Sequence, residues 1–225
     1  MGNSVLVVAA HPDDEILGCG ATMARHAAEG DRVTVLLMAD GVGARNPENA
    51  TAALAERQSA ARKANKILGV ENVTLLTYPD NRMDTVALLD IVQDVEKVMR
   101  HCMPEIVYTH HSGDVNIDHR LVSEAVVVAC RSTPGFSVRK LLCFETASST
   151  EWRPAVSNMC FAPNYFVNIS SYLALKLQAL EVYSEELRAF PHPRSKTAVA
   201  HLAAWRGATV GVEAAEAFEL ARAII

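Results

Sequence analysis

The stretch VLVVAAHPDDE, residues 5–15, decides the fold, because an apolar run ends abruptly in a histidine, a proline and three acidic residues. Six apolar residues without alternation are typical of a strand that is buried on both faces of a parallel sheet. The next segment, Leu17–Glu29, has a helical pattern and stops at Gly30. A strand, a polar corner and a helix together predict the first unit of an α/β sheet.

The same alternation continues along the chain. Five strands are predicted, at Val5–Ala10, Val33–Ala39, Val73–Thr77, Ile106–Thr109 and Lys140–Thr146. Six helices are predicted, at Leu17–Glu29, Thr51–Leu68, Val86–Met99, Arg120–Arg131, Ser171–Phe190 and Ser195–Phe218, the last with an interruption near Arg206-Gly207. We therefore predict one Rossmann-like α/β domain over residues 1–225, with an open, mostly parallel sheet and helices on both faces.

Composition narrows the class of protein. The 225 residues are 50% apolar, so the chain can bury a core without disulfides. A net charge of −5 disfavours nucleic acid as a partner. The five dispersed cysteines favour reduced thiols in a cytoplasmic protein, and no apolar run reaches the ~18 residues of a membrane span. The apolar C-terminal segment could belong to the core or to a homo-oligomer interface.

Polar clusters follow the first four predicted strands. They comprise His11, Asp13, Asp14 and Glu15 after the first strand, Asp40 and Arg45 after the second, Asp80, Asn81 and Arg82 after the third, and His110, His111 and Asp114 after the fourth. Ligands of such sheets bind outside the carboxyl ends of the strands. We expect these side chains to lie close together at that edge.

A metal site accounts for more of this pattern than a helix cap does. Asp13 or Asp14 alone could cap the first helix, but a cap explains neither the second aspartate nor His11. Two adjacent carboxylates repel each other unless a cation lies between them. His119, after the fourth strand, is the best further ligand, with Asp118 in reach to orient a ring or act nearby. Two histidines and one carboxylate are typical of catalytic zinc, and Asp13 would remain free to accept a proton.

The motif Ala10–Glu15, a glycine-containing helix (Gly18, Gly20) and the later pair Asp118-His119 together resemble the PIG-L/LmbE-like family of zinc-dependent N-deacetylases. Further similar landmarks lie at Gly41 to Arg45, at residues 190–195 and at Arg206-Gly207. Family members remove acetyl groups from amino sugars of the N-acetylglucosamine type. The resemblance implies that His11, Asp14 and His119 ligate zinc and that Asp13 is the general base.

One position departs from the family pattern. The second motif is often His-Pro-Asp-His, whereas this chain has Asn116 in place of the first histidine. Asparagine can donate a hydrogen bond to an oxyanion but cannot act as an acid. We therefore expect Asn116 or His110 to stabilise the oxyanion. The leaving amine would receive its proton from Asp13 or from another histidine, for which the candidates are His110, His111 and His192. Each of these histidines could instead be an ordinary polar residue of a strand end or loop.

Substrate contacts are predicted on the loops. Arg45 would hold a sugar hydroxyl or phosphate, as the resemblance suggests, and His192 would line the pocket. Arg57, Arg82 and Glu145 are weaker candidates of the same kind. Trp152 could stack on a sugar ring or be packed in part against the core.

Three other functions compete with the hydrolase. A nucleotide-binding domain is suggested by Asp40 at the end of the second strand, but Gly18-Cys19-Gly20 begins too late and has Met23 where a third glycine belongs. A hydratase of an unsaturated dicarboxylic acid would keep the metal and change the reaction. The sequence favours a zinc-dependent hydrolase that cleaves the N-acetyl group of an acetamido sugar or sugar conjugate, releasing acetate and free amine. A non-catalytic metal-binding module is disfavoured, because Asp13 is one carboxylate more than the ligand set requires.

Overall fold

The computed structural model describes residues 2–41, 50–133, 135–155 and 159–225. The strands of these residues are β1 Ser4–Ala9, β2 Arg32–Ala39, β3 Asn72–Tyr78, β4 Ile106–His110, β5 Lys140–Phe144, β6 Tyr165–Asn168 and β7 Ala215–Ala223. The helices are α1 Asp14–Ala28, α2 Ala50–Ile67, α3 Leu88–Cys102, α4 Ile117–Ala129, α5 Leu173–Glu181 and α6 Lys196–Ala208. Short 3₁₀ helices lie at Met83–Thr85 and Thr150–Trp152.

All seven strands of the described residues form one sheet in the order β3-β2-β1-β4-β5-β7-β6. The first five strands in this order, from β3 through β2, β1 and β4 to β5, pair in parallel. Strand β7 runs antiparallel to both of its neighbours, β5 and β6. The predicted open, mostly parallel sheet is thus confirmed. None of the described helices is long and apolar enough to cross a bilayer.

Strand β1 lies at the centre and is buried on both faces. Val5 and Val7 pack into a cluster with α1, α2 and α5, whereas Leu6 and Val8 pack into a cluster with α3 and α4. Successive side chains of a strand point to opposite faces, so one apolar run supplies both cores. This arrangement confirms the prediction of helices on both faces.

The C-terminal third differs from the prediction. The helix expected over Ser171–Phe190 is confined to α5, and the helix expected over Ser195–Phe218 ends at Ala208 in α6. Residues 215–218 belong instead to strand β7, where Phe218 pairs with Phe144 of β5 and Tyr165 of β6. The segment is rich in alanine and glutamate, which favour helix, and pairing with two strands overrides that local preference.

Strand β7 also supplies hydrogen-bond partners for an interruption in helix α1. The helix is interrupted at Cys19, whose φ and ψ of −147° and 24° are not helical. Glu216 of β7 accepts hydrogen bonds from the backbone N–H groups of Ala21 and Thr22, at 3.1 and 2.7 Å. Lys176 of α5 donates to Glu216 at 2.5 Å and to the carbonyl of Leu17 at 2.8 Å. A buried ion pair therefore satisfies the backbone groups that the interruption leaves open.

Helix α1 lies very close to the sheet at its first turns. A side chain at Gly18 would place its Cβ 2.2 Å from the Phe144 ring of β5. Only glycine permits this approach, which sets the first turn of α1 beside the carboxyl ends of β1, β4 and β5. The polar residues after those strands consequently meet at this end of the sheet.

Candidate metal centre

The corner between β1 and α1 is held by its own polar groups. The backbone N–H of His11 donates to Asp14 Oδ2 at 2.9 Å. Glu15 Oε2 accepts from the backbone N–H of Asp13 at 3.0 Å, while Glu15 Oε1 accepts from Asn65 at 2.9 Å and Tyr183 at 2.8 Å. Glu15 is completely buried, and burial raises its pKa to about 7 although these hydrogen bonds lower it. The acidic corner is therefore an anchored part of the fold.

The three predicted ligands converge on one point. Asp14 Oδ2 lies 3.1 Å from His11 Nδ1 and 3.1 Å from His119 Nε2. One ligand atom from each of the three residues lies within 4.8 Å of the other two. Asp14 and His119 are buried, and only 12% of the His11 side chain is exposed. Elements far apart in sequence, the β1–α1 corner and the start of α4, thus supply two nitrogens and one carboxylate.

The donor set fits a divalent metal. Within the described residues, Asp14 Oδ1 and both ring nitrogens of His119 are buried without hydrogen-bond geometry to any partner. Buried polar atoms are normally paired. Asp14 Oδ1 and His119 Nε2, which faces Asp14, therefore indicate a ligand that the described residues do not provide, whereas Nδ1 of His119 faces Asp114. Two imidazoles and one carboxylate with an open position are the ligand set of catalytic zinc.

Further carboxylates lie behind both histidines. Nε2 of His11 is 3.0 Å from Asp118 and 3.2 Å from Asp80. Nδ1 of His119 is 3.2 Å from Asp114. Carboxylates in this position orient ligand histidines and increase their basicity. Asp118, predicted to be catalytic or to orient a ring, thus lies on the far side of His11 from Asp14.

Charge at the centre favours a cation. Burial opposes a charge on His11, but hydrogen bonds to Asp118 and Asp14 raise its pKa to about 10. Burial likewise opposes a charge on His119, and the carboxylates of Asp14 and Asp114 raise its pKa. Burial opposes ionisation of Asp14, yet the two histidines lower its pKa. The surrounding carboxylates therefore favour positive charge at this point, which a divalent ion would also supply.

Asp13 lies beside the ligands but takes no part in their contacts. It is buried, with a φ of 118°, and its carboxylate makes no hydrogen bond to the helix that it precedes. Burial raises the pKa of Asp13 to about 7, although the positive charge of Arg194 lowers it. The alternative that Asp13 is a plain helix cap does not match this geometry. A carboxyl group with a near-neutral pKa suits general acid–base chemistry.

His110 is placed deeper than predicted. It is completely buried, with its ring stacked on that of His119 at 4.0 Å. Its Nε2 accepts from the backbone N–H of Ala10 at 2.9 Å, and its Nδ1 is 3.2 Å from the Thr146 hydroxyl. Burial and the neighbouring His119 lower its pKa well below the usual value. Because both nitrogens are engaged inside the protein, the geometry favours packing under His119 over contact with an oxyanion.

Asn116 is the helix cap of α4. Its Oδ1 accepts from the backbone N–H of Asp118 at 2.8 Å, and its Nδ2 donates to Asn81 at 3.0 Å. Both ends of the amide are thus used locally. The predicted donation to an oxyanion would require the side chain to leave Asn81.

The other predicted contacts are spread more widely. His192 is half-buried beside Trp152, with ring centroids 6.2 Å apart, while His111 pairs with Glu219. Arg57 pairs with Glu186 and Glu145 with Arg206, and Arg82 is exposed. Arg45 lies outside the described residues.

Sequence reasoning assigned no role to three residues of the site. Asp80 and Asp114 lie behind the candidate ligand histidines, and Arg194 contacts Asp13. The two aspartates were recognisable by their position after predicted strands. Arg194 follows no strand, and only its place in the landmark at residues 190–195 marked it.

Comparisons with known proteins show what this chain is similar to. The PIG-L family model, described as GlcNAc-PI de-N-acetylase, matches residues 6–130. "Uncharacterized deacetylase YaiS" of Escherichia coli is 33% identical over 183 residues, 79% of this chain and 88% of its own length. Diacetylchitobiose deacetylase of Thermococcus kodakarensis is 27% identical over 190 residues, 81% of this chain and 69% of its own length. The fold of N,N'-diacetylchitobiose deacetylase from Pyrococcus horikoshii superposes with a TM-score of 0.78 at 21% identity, covering 97% of this chain and 83% of that chain.

Proposed function

The chain belongs to the PIG-L family, and on that premise we propose that it is a zinc-dependent hydrolase that removes the N-acetyl group from an acetamido sugar or sugar conjugate. The products are acetate and the free amine. One observation carries the proposal. The ligand atoms of His11, Asp14 and His119 lie within 4.8 Å of one another, and Asp13 adds a carboxyl group beyond the ligand set. A spare buried carboxyl group beside a metal is what hydrolysis requires and what metal storage does not.

Each ligand would bind through a defined atom. His11 would use Nδ1, because Asp118 and Asp80 occupy its Nε2 side, and His119 would use Nε2, because Asp114 lies at its Nδ1. Asp14 would bind through its carboxylate, whose Oδ1 has no partner among the described residues. Bound zinc supplies Lewis acidity, which polarises the acetamide carbonyl and makes a water molecule more acidic.

Asp13 would move the protons. As the general base it takes a proton from the attacking water, and a pKa of about 7 lets it hold that proton and then release it. We assign protonation of the leaving amine to Asp13 as well. The contacts of the rival groups support this assignment, since Asn116 caps α4 and both nitrogens of His110 are engaged.

The substrate class comes from the relatives. Diacetylchitobiose deacetylase of Thermococcus kodakarensis is named for an acetylated amino sugar, and we propose the same class here. Trp152 is 56% exposed next to His192, so it can present an aromatic face to a sugar ring. Sugar or phosphate binding by Arg45, the cytoplasmic location and a homo-oligomeric state stay predictions from the sequence.

The decisive experiment combines metal analysis with an assay of amine release. Protein purified without chelator or added metal is analysed for zinc, then incubated with N-acetylglucosamine, diacetylchitobiose and N-acetylglucosaminyl malate. We expect one zinc per chain and amine release that stops on chelation and returns with zinc. His119→Ala, checked for folding by circular dichroism, should contain no zinc. If the protein binds zinc and releases no amine but hydrates an unsaturated dicarboxylic acid, it is a hydratase and not a deacetylase. Folded wild-type protein that binds no metal would overturn the proposal.

A further inference from the structure

The loop before α6 has a fixed shape. Ser195 caps α6 by accepting from the backbone N–H of Ala198 at 3.0 Å. Nδ1 of His192 accepts from the backbone N–H of Arg194 at 3.1 Å, and the carbonyl of His192 accepts from the backbone N–H of Ser195 at 2.9 Å. Because three local hydrogen bonds define the backbone around Arg194, the direction in which its side chain leaves the loop is also defined.

The Arg194 side chain ends at Asp13. Its Nη1 lies 3.2 Å from Asp13 Oδ2 and 3.5 Å from Glu186 Oε2, and Glu186 in turn pairs with Arg57 of α2. The side chains of Asp13 and Glu186 are only 4% and 5% exposed. A row of alternating charges thus runs from α2 to Asp13.

Asp13 needs such an external partner because its own helix does not hold it. An aspartate at this position normally bonds the first N–H groups of the helix, yet Asp13 makes no such bond and has a φ of 118°. Among the residues that the structure describes, Arg194 is the one group that donates a hydrogen bond to its carboxylate. Strained backbone conformations cluster at functional sites, and here the strain turns the Asp13 carboxylate away from the N–H groups of the helix.

We propose that Arg194 is a positioning residue for Asp13. Its guanidinium fixes the Asp13 carboxylate in the orientation that accepts the proton of the attacking water. The buried Nε of Arg194 has no partner in the described part of the chain, so the guanidinium is not saturated by structural contacts. The inference rests on the proposed function, since positioning Asp13 matters only if Asp13 is the base.

A double-mutant cycle tests the contact without any substrate. Arg194→Met in the wild-type background leaves a buried carboxylate without its cation, and we expect Tm to fall by about 3 to 6 °C. In the Asp13→Asn background the same change should lower Tm by less than about 2 °C. Arg188→Met is the matched control, because the Arg188 side chain is exposed and, within the described residues, donates to the carbonyls of Glu185 and Leu187. The backbone hydrogen bond from Arg188 to the carbonyl of Arg194 is kept in this variant. Equal losses of Tm in both backgrounds would overturn the inference, whatever the protein catalyses.

Kinetics separate positioning from a structural pair. For the zinc-loaded Arg194→Met variant we expect a fall in kcat of about 10- to 100-fold with KM within about 2-fold and zinc content unchanged. Arg194→Lys should recover part of kcat, and added guanidinium should partly rescue Arg194→Met. Unchanged kcat, or a raised KM at constant kcat, would overturn the positioning role. If the wild type turns over no acetamido sugar, the proposed function fails and the positioning role fails with it, while the Tm cycle still reports whether the contact exists.

Discussion

The Asp118 carboxylate lies 3.0 Å from Nε2 of His11 and is itself held by two backbone N–H groups. Oδ2 accepts from Asn81 at 2.7 Å and Oδ1 accepts from Met83 at 3.0 Å. A carboxylate fixed by the backbone requires a proton on Nε2 of a neutral His11, so Nδ1 presents its lone pair toward Asp14. The start of α4 thereby determines which nitrogen of His11 is offered to a metal, although the two residues are 107 positions apart.

Replacing Asp118 by asparagine should weaken metal binding. The amide cannot accept from both backbone N–H groups and His11 as the carboxylate does, and it removes the charge that increases the basicity of His11. We expect the zinc affinity to fall by about 10- to 100-fold, measured by competition with a chelator of known affinity. Asp84→Asn, an exposed change in the neighbouring 3₁₀ helix, is the control. An unaltered affinity would show that Asp118 does not support His11 as a ligand.

Asp13→Asn should separate catalysis from metal binding. In the described part of the chain, no hydrogen bond or ion pair joins the Asp13 carboxylate to the candidate ligands. The variant should therefore retain zinc, whereas loss of the base should lower kcat by about 100-fold or more. Zinc analysis and amine release on the same preparation test both halves. Asp90→Asn, on the exposed first turn of α3, should leave both values unchanged. Near-normal kcat in Asp13→Asn would exclude Asp13 as the base.

The sequence predicted that the three candidate ligands lie together because they obey a rule of the fold. His11, Asp14 and His119 all follow parallel strands, and the carboxyl ends of such strands meet at one edge. The pattern of buried strands also placed β1 to β5 correctly to within a few residues. These features depend on local periodicity, which a sequence displays directly.

Other features depend on contacts that no local pattern contains. The alanine and glutamate content of β7 predicts a helix, and only its pairing with Phe144 and Tyr165 makes it a strand. His110 is the last residue of β4, at the sheet edge where active-site residues are expected, yet the Ala10 N–H and the Thr146 hydroxyl engage it inside the protein. Such partners become visible only once the strands are assembled.

The buried pair of Lys176 and Glu216 should be important for stability. Both side chains are 4% exposed, and Glu216 also accepts from two backbone N–H groups of α1. Lys176→Met leaves a buried carboxylate uncompensated, and we expect the free energy of unfolding to fall by about 3 to 5 kcal/mol in urea titrations. Adding Glu216→Gln should recover part of that loss. The control is Lys196→Met, because Lys196 forms an exposed pair with Glu181 and its removal should cost under about 1 kcal/mol. Equal costs for the two lysines would contradict the assignment.

The pair of His111 and Glu219 should make stability depend on pH. His111 Nδ1 lies 2.6 Å from Glu219 Oε2, and Asp114 is the other carboxylate that acts on the ring. Burial opposes a charge on His111, but the hydrogen bond to Glu219 raises its pKa above 6.5. Burial opposes ionisation of Glu219, but His111 lowers its pKa below 4.5.

The direction of the pH effect follows from these two shifts. The raised pKa of His111 contributes stability that is full below pH 6.5 and is lost as pH rises through the folded value. The lowered pKa of Glu219 contributes stability that is full above pH 4.5 and is lost as pH falls through the folded value. The pair should therefore stabilise the fold most between about pH 4.5 and 6.5.

A cycle of His111→Gln and Glu219→Gln, followed by urea unfolding, measures that contribution. We expect a coupling free energy of about 1.5 kcal/mol at pH 5.5 and less than about 0.5 kcal/mol once His111 is neutral at high pH. His101→Gln, at an exposed histidine of α3, should show no coupling to Glu219 at either pH. A coupling free energy that stays constant with pH would contradict the prediction. It would mean that a neutral His111 stabilises Glu219 as well as a charged His111 does.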